Sequence, residues 1–200
     1  MSVDQLIQDS EQLIQWLDNS IDGLDVKSDL RTRLSAGCLD VALEHQKAIH
    51  LLVSHKLYGS AFALARLIFE AYVRGVWLKW CATDKEVERF KSGKLDKEFG
   101  ELVQEIEKLD GFDEGVLSDI KIKTWKTLNS FTHSGYAQVV RRNTESTIEP
   151  NYTDAEKIEL LNFAMSIGLF TGMAIAYISG RNELASSMLE KAKLFWKVEP

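Results

Sequence analysis

Proline is almost missing from this chain of 200 residues, in which Pro150 and Pro200 are the only two. Because proline kinks or ends helices, residues 1–149 carry no such interruption. Apolar residues recur there at the three-to-four-residue spacing of amphipathic helices, with glycines between the runs. We therefore predict an all-α protein, a single-domain antiparallel helical bundle of about seven helices.

Cysteine is equally scarce. Cys38 and Cys81 each lie in an apolar helical stretch, and neither has a CxxC neighbour. We expect two reduced thiols in the core, as in a reducing compartment. The first residues are acidic and amphipathic and lack the basic start and apolar run of a signal peptide. The sequence therefore predicts a cytoplasmic protein.

Positive charge is in short supply, with a net charge of -6 and an isoelectric point near 5.3. Broad nucleic-acid binding needs a wide basic surface that displaces counterions, so we expect no DNA partner. A local basic pocket could still hold an anionic ligand or RNA. The hydrophobic fraction of 45% and the five tryptophans indicate a folded globule.

The periodicity and two capping boxes, Thr83 with Glu86 and Thr153 with Glu156, place the helix ends. Gly59 is expected to end the second helix, and residues 133–152 to be irregular apart from a turn near Val139. One helical domain spans 1–200, with 1–24 as an N-terminal helix that can lie at the periphery and 25–196 as the core bundle. The predicted helices cover 3–19, 27–56, 60–81, 84–91, 95–109, 116–132, 154–179 and 183–196.

Residues 160–180 contain no charged side chain and are long enough to span a bilayer. Polar and small residues make the run only moderately apolar, and no basic flank follows, so we expect a buried helix and no membrane partner. A ridge of small residues recurs every fourth position. Such a ridge lets a second helix approach closely, within the chain or in a homodimer. Its members are Ala164, Gly168, Gly172 and Ala176.

Familiar site motifs are absent: the chain has no GxGxxG, no phosphate loop, no HExxH and no GxSxG. His45, His50 and His55 recur every five residues, which turns a helix by about 140° and keeps them off one face. Metal ligands on a helix prefer spacings of three or four. We therefore expect a solvated face with scattered histidines, no metal site and no cofactor.

Three charges interrupt the otherwise apolar helix 60–81. Arg66, Glu70 and Arg74 recur every four residues and so share one stripe. A charge inside a core must be paired and hydrogen-bonded. Either the three satisfy one another as a structural network, or they line a polar pocket.

The segment 125–142 collects polar groups, aromatics and two arginines around a helix end. His133 could donate, accept or transfer a proton near neutral pH, and Arg141 and Arg142 could hold a phosphate or carboxylate. The alternative is that Asn129, Thr132 and His133 cap the helix and bind loop backbone. The candidate binding residues are Arg66, Glu70, Arg74, Asn129, His133, Tyr136, Arg141 and Arg142.

The stretches 60–90 and 129–142, with Arg66-x-x-x-Glu70 and Thr132-His133-Ser134-Gly135, resemble a bacterial all-helical family of unknown function. The resemblance covers about residues 35–180 and implies a helical fold without an assigned activity. That family is in turn loosely similar to the HEPN group, which includes RNases of toxin and defence systems. Those enzymes carry a His four to six residues after an Arg on one helix, a spacing that this chain lacks.

Three functions follow as expectations. The first is a non-catalytic binding module whose polar pocket lies between the 66–74 stripe and residues 129–142. The second is a metal-independent RNase, in which His133 is general acid or base and Arg66, Arg74 or Arg141 stabilises the developing charge. The third is an oligomeric scaffold that uses the small-residue ridge. Because the Arg-to-His spacing is missing and the chain is acidic, binding is favoured over catalysis.

Overall fold

The computed structural model describes residues 2–195, with side chains as far as Lys191, and this range contains nine α-helices. The all-α class is confirmed. The expected number of about seven is too low. The predicted segments correspond to every helix except the five-residue helix Tyr136–Val140, which is too short to show an apolar period. In chain order the nine are α1 Val3–Ile21, α2 Leu30–Ser54, α3 Tyr58–Trp80, α4 Asp84–Lys91, α5 Phe99–Ile106, α6 Val116–Thr132, α7 Tyr136–Val140, α8 Asp154–Ile178 and α9 Asn182–Phe195. The predicted domain limits 1 and 200 and helix end 196 lie outside the described residues.

Capping chemistry sets the starts of α4 and α8 as expected. Thr83 and Thr153 each accept the backbone N–H three residues on, and Glu86 and Glu156 accept the cap residue's N–H in return. The turn between α2 and α3 differs from expectation. Lys56, at φ 60°, makes this turn, and Gly59 lies inside the first turn of α3.

The α2–α3 pair forms the centre of the fold, and its two helices run in opposite directions. Near the start of α2, the Ser35 hydroxyl donates to the Gly75 carbonyl over 2.7 Å. A β-carbon at Gly75 would lie 2.7 Å from the Leu39 side chain, so the absence of a side chain there lets the helices approach closely.

The bundle is not purely antiparallel, because α8 runs in the same direction as α3. Phe69 meets Phe163 edge-on, and further along both helices Tyr72 stacks on Phe170. The reason is the connection: α6 returns the chain along α3 to the α3 start, where Thr132 donates to the Ala63 carbonyl. Helix α8 then begins at that same end.

The small-residue ridge of α8 packs inside the chain, as expected for a buried helix. A β-carbon at Gly168 would lie 2.2 Å from Gln46 of α2, and one at Gly172 would lie 2.8 Å from Leu17 of α1. Helix α8 is long and apolar enough to cross a membrane, with a mean hydropathy of 1.6, and 61% of that apolar window is buried in the protein. Helix α1 covers α8 and α2 with the buried side chains of Leu6, Leu13 and Leu17.

Candidate functional site

The three charges of the α3 stripe form ion pairs with one another. Nε of Arg66 donates to Oε1 of Glu70 over 2.6 Å, and Nη1 of Arg74 donates to Oε2 of the same carboxylate over 2.7 Å. Glu70 is only 7% exposed, so both of its oxygens are satisfied inside the protein. The expected pairing is confirmed. Since two arginines share one carboxylate, the stripe keeps one excess positive charge.

Arg66 is held on three sides. Its guanidinium carbon lies 4.7 Å from the ring centroid of Trp125, and Trp125 stacks on Phe99 with ring centroids 4.5 Å apart. Its Nη1 lies 3.2 Å from Nε2 of His133. A guanidinium bound by a carboxylate, an indole face and an imidazole has lost most of its rotamer freedom. It is therefore preorganised to present its remaining donors.

His133 is exposed and closes the α6 end of this site. Its backbone N–H donates to the Asn129 carbonyl over 3.1 Å, which places the residue just after the last helical turn. Arginine has donors only, so a hydrogen bond from Arg66 requires Nε2 as the acceptor and the tautomer with the proton on Nδ1. That tautomer points a donor away from Arg66.

A tight turn fixes the position of His133. Ser134 adopts φ 52°, and the Ser130 hydroxyl accepts the N–H of Ala137 over 2.9 Å. A β-carbon at Gly135 would lie 2.6 Å from that hydroxyl oxygen, so the turn requires glycine there. The chain then enters α7 directly.

The other predicted site residues form no hydrogen bond or ion pair with the α3 stripe in the described part of the chain. Arg141 pairs with Glu156 of α8 over 2.5 Å, while Tyr136 is 81% exposed and Arg142 is also exposed. The Asn129 side-chain oxygen is buried without a partner in the described part of the chain. The structure therefore brings together Arg66, Glu70, Arg74 and His133.

Part of the capping alternative holds, because His133 is the C-cap residue of α6 and the Thr132 hydroxyl donates to the Leu128 carbonyl over 2.9 Å. The sequence-based list missed Trp125, the ring that covers Arg66. A signal for it was present, because residues 125, 129 and 133 are spaced by four and so share one face of α6. The missing information was which helix that face covers.

A model of the family of unknown function DUF6988 matches residues 39–199. The chain belongs to this family. No curated protein and no solved structure matches it. The matched region of DUF6988 contains the whole site, from Arg66 to His133, and leaves out α1 and the first turns of α2.

Outside this site, the histidines and thiols of the DUF6988 chain offer little chemistry. His45 and His50 are half-buried rather than on a solvated face, and burial lowers the pKa of both. Burial also raises the pKa of the Cys38 thiol, and burial with the nearby Glu105 raises that of Cys81 to about 11. Both cysteines are free. Within residues 2–195, no group of three His, Cys, Asp or Glu side chains could hold a metal ion.

A large cavity lies at the opposite end of α3, where α3 and α8 end. Its volume is about 1100 Å³, and none of the predicted site residues lines it. Tyr72 and Val76 of α3 line its wall, so the same helix serves the polar site on one face and this cavity on another.

Proposed function

We propose that this chain is a cytoplasmic bacterial binding module that holds an anionic group, a phosphate or carboxylate, at the α3–α6 site without turning it over. The observation that carries the proposal is the contact between Arg66 and His133 at the exposed end of the buried stripe. It supports a guanidinium fixed at the surface, held by the imidazole and by a carboxylate that is already fully used.

The available donors support an anion over a cation. Nη2 of Arg66 and both Nε and Nη2 of Arg74 have no partner among the described residues. Guanidinium donors of this kind bind phosphate and carboxylate oxygens in pairs. The excess positive charge of the stripe adds to this preference, whereas the acidic remainder of the chain keeps the binding local.

The test is ligand-induced stabilisation, measured as the melting temperature in rising inorganic phosphate and with a short single-stranded RNA. A ligand at 100 times its Kd stabilises the folded state by about 2.7 kcal/mol, so the midpoint rises with concentration. His133→Ala and Arg74→Ala should weaken this rise. The matched control is Arg181→Ala, an exposed arginine between α8 and α9. Equal responses in the control and the site variants, or no rise in the wild type, would contradict the proposal.

Metal-independent RNA cleavage is the second candidate, and one observation favours it. The fold brings Arg66 within 3.2 Å of His133, although 67 positions separate them in the sequence. His133 would serve as general acid or base, and Arg66 would stabilise charge on the reacting phosphate. Cleavage should persist in chelator and fall about 10²-fold in His133→Ala. His55→Ala, an exposed histidine at the end of α2, is the control and should cleave normally.

A further inference from the structure

The cavity of about 1100 Å³ opens between the ends of α3 and α8, the linker before α2 and the loop before α6. Its wall is largely apolar and includes five aromatic residues, which are Tyr72, Trp80, Phe112, Phe170 and Tyr177. Trp80 and Tyr177 remain exposed at its mouth. A concave, largely apolar space of this size is what drug-sized organic ligands occupy in proteins.

One polar group in the wall lacks a partner. Tyr72 is 3% exposed, and its hydroxyl makes no hydrogen bond to any described residue, although its ring stacks on Phe170. The Tyr72 oxygen is not one of the fully buried polar atoms that lack a partner, so the hydroxyl reaches the open space of the cavity that Tyr72 lines. Burial raises the pKa of this hydroxyl, so it stays a neutral group that can donate or accept.

The charges at the rim discriminate against an anion. Asp25, Asp110 and Glu114 line the cavity without ion pairs in the described part of the chain, against two lysines, Lys27 and Lys79. Lys79 donates to the neutral Thr32 hydroxyl over 2.7 Å and keeps its charge, so three carboxylates face two ammonium groups. The rim therefore carries a net negative charge, and the aromatic wall adds electron-rich ring faces that attract cations.

We propose that this cavity binds a small aromatic compound, neutral or cationic, that carries one hydrogen-bonding group. The aromatic body packs among the rings of Phe112, Phe170 and Tyr177, and the polar group pairs with the Tyr72 hydroxyl. The site is separate from the Arg66–His133 site and does not depend on its function.

The experiment is isothermal titration calorimetry of the full chain with four probes of one shape. They are naphthalene, 2-naphthol, 2-naphthylmethylamine and 2-naphthoate, which supply no polar group, a neutral one, a cationic one and an anionic one. We expect 2-naphthol and the amine to bind, and 2-naphthoate to bind at least about 10-fold more weakly because of the acidic rim. No binding of any probe at millimolar concentration, or tightest binding of 2-naphthoate, would overturn the proposal.

Two variants test the assignment of the site. Tyr72→Phe keeps the ring and removes the hydroxyl, so it should weaken 2-naphthol about 5-fold and leave naphthalene unchanged. Tyr136→Phe, at an exposed tyrosine on α7, is the matched control. Unchanged affinity of Tyr72→Phe for 2-naphthol would overturn the role of the hydroxyl.

Ala174→Phe should fill the cavity from α8 and abolish binding of all probes. If that variant does not fold, Met173→Trp narrows the same wall from a half-buried position and serves the same purpose. Full binding by a folded cavity-filling variant would place the probe elsewhere and overturn the proposal.

Discussion

Two charge clusters in this protein have the same arrangement with opposite signs of charge. In the α3 stripe, one carboxylate, Glu70, lies between two arginines. In the second cluster, one ammonium, Lys97, lies between two carboxylates, 2.5 Å from Glu86 and 2.7 Å from Glu105. Each cluster also places a cation over a tryptophan ring, Arg66 over Trp125 and Lys97 over Trp77.

The two clusters differ in which segments supply their residues and in whether hydrogen-bond donors remain unused. Glu86, Lys97 and Glu105 belong to α4, the following linker and α5, so the Lys97 cluster ties three segments together. The Trp77 indole N–H donates to the second oxygen of Glu105 over 2.6 Å. Every charge there has its partner within the cluster.

The α3 stripe, in contrast, draws its three charges from a single helix and adds an exposed histidine from another. Its arginines keep free donors, and Arg74 remains 39% exposed. The comparison teaches that a buried ion at the centre of a cluster does not distinguish structure from function. The unused donors at the edge of the α3 stripe are the feature that supports the proposed anion binding.

The largest expected effect is at Glu70. Glu70→Ala leaves two arginines without their shared carboxylate, and breaking such a buried pair costs 3–5 kcal/mol. We expect about 3 kcal/mol, the lower end, because both arginines reach solvent. A denaturant titration measures it. Glu70→Gln, which keeps one acceptor, should lose less, and a loss below about 1 kcal/mol in Glu70→Ala would mean that the stripe behaves as a surface ion pair.

The second largest effect is expected at the Lys97 cluster. Lys97→Met removes the shared cation and brings Glu86 and Glu105 together as unpaired like charges. Both carboxylates are partly solvated, so we expect a loss of about 2 kcal/mol, less than at Glu70. The same denaturant titration checks it, with Lys91→Met, at an exposed lysine of α4, as the control. A larger loss than in Glu70→Ala would reverse the ranking of the two clusters.

Acid should weaken the Lys97 cluster. Although burial raises the pKa of Glu86, hydrogen bonds from Lys97 and Thr83 outweigh it and lower that pKa from 4.5 to about 2. A carboxyl group with a lowered folded-state pKa stabilises the protein above its unfolded pKa, and this contribution is lost as the pH falls. Unfolding free energy should therefore decrease between pH 4.5 and about 2. The decrease should be smaller in Lys97→Met, and an identical pH profile in that variant would contradict this assignment.

The smallest effect on stability is expected at His133, where the two clusters differ most. His133→Ala removes an exposed side chain with one contact to Arg66, so the unfolding free energy should change by less than about 0.5 kcal/mol. The same substitution should nevertheless weaken phosphate binding. Calorimetric unfolding with and without phosphate separates the two quantities. A variant that unfolds readily and gains nothing from phosphate would make His133 a structural residue.

Sequence patterns within single helices predicted the capping boxes and the ion pairs of the α3 stripe. The capping boxes at Thr83 and Thr153 depend on residues three positions apart, so the sequence contains everything that sets them. The pairing of Glu70 with Arg66 and Arg74 depends on the four-residue repeat of one helix and was equally predictable. The α2–α3 turn was not, because Lys56 rather than a glycine adopts the positive φ there.

Contacts between different helices could not be predicted from patterns within one helix. Nothing local relates Trp125 to Arg66, and the parallel course of α3 and α8 depends on how α6 returns the chain. Arg141 was expected in the same site because it lies close to His133 in the sequence, but it pairs with Glu156 of α8 instead. Side-chain partners across elements follow from the helix arrangement, which a single periodic pattern does not specify.

By itself, the sequence determined the helical class, most helix ends and the charge stripe of α3, because each follows from backbone chemistry and spacing within one helix. Only the tertiary structure decided that His133 meets Arg66, that Gly168 and Gly172 face other helices of the same chain, and that Tyr72 borders a cavity. The physical reason is that these contacts join residues far apart in the chain. Their geometry depends on the packing of whole helices, in which every apolar face competes for the same core.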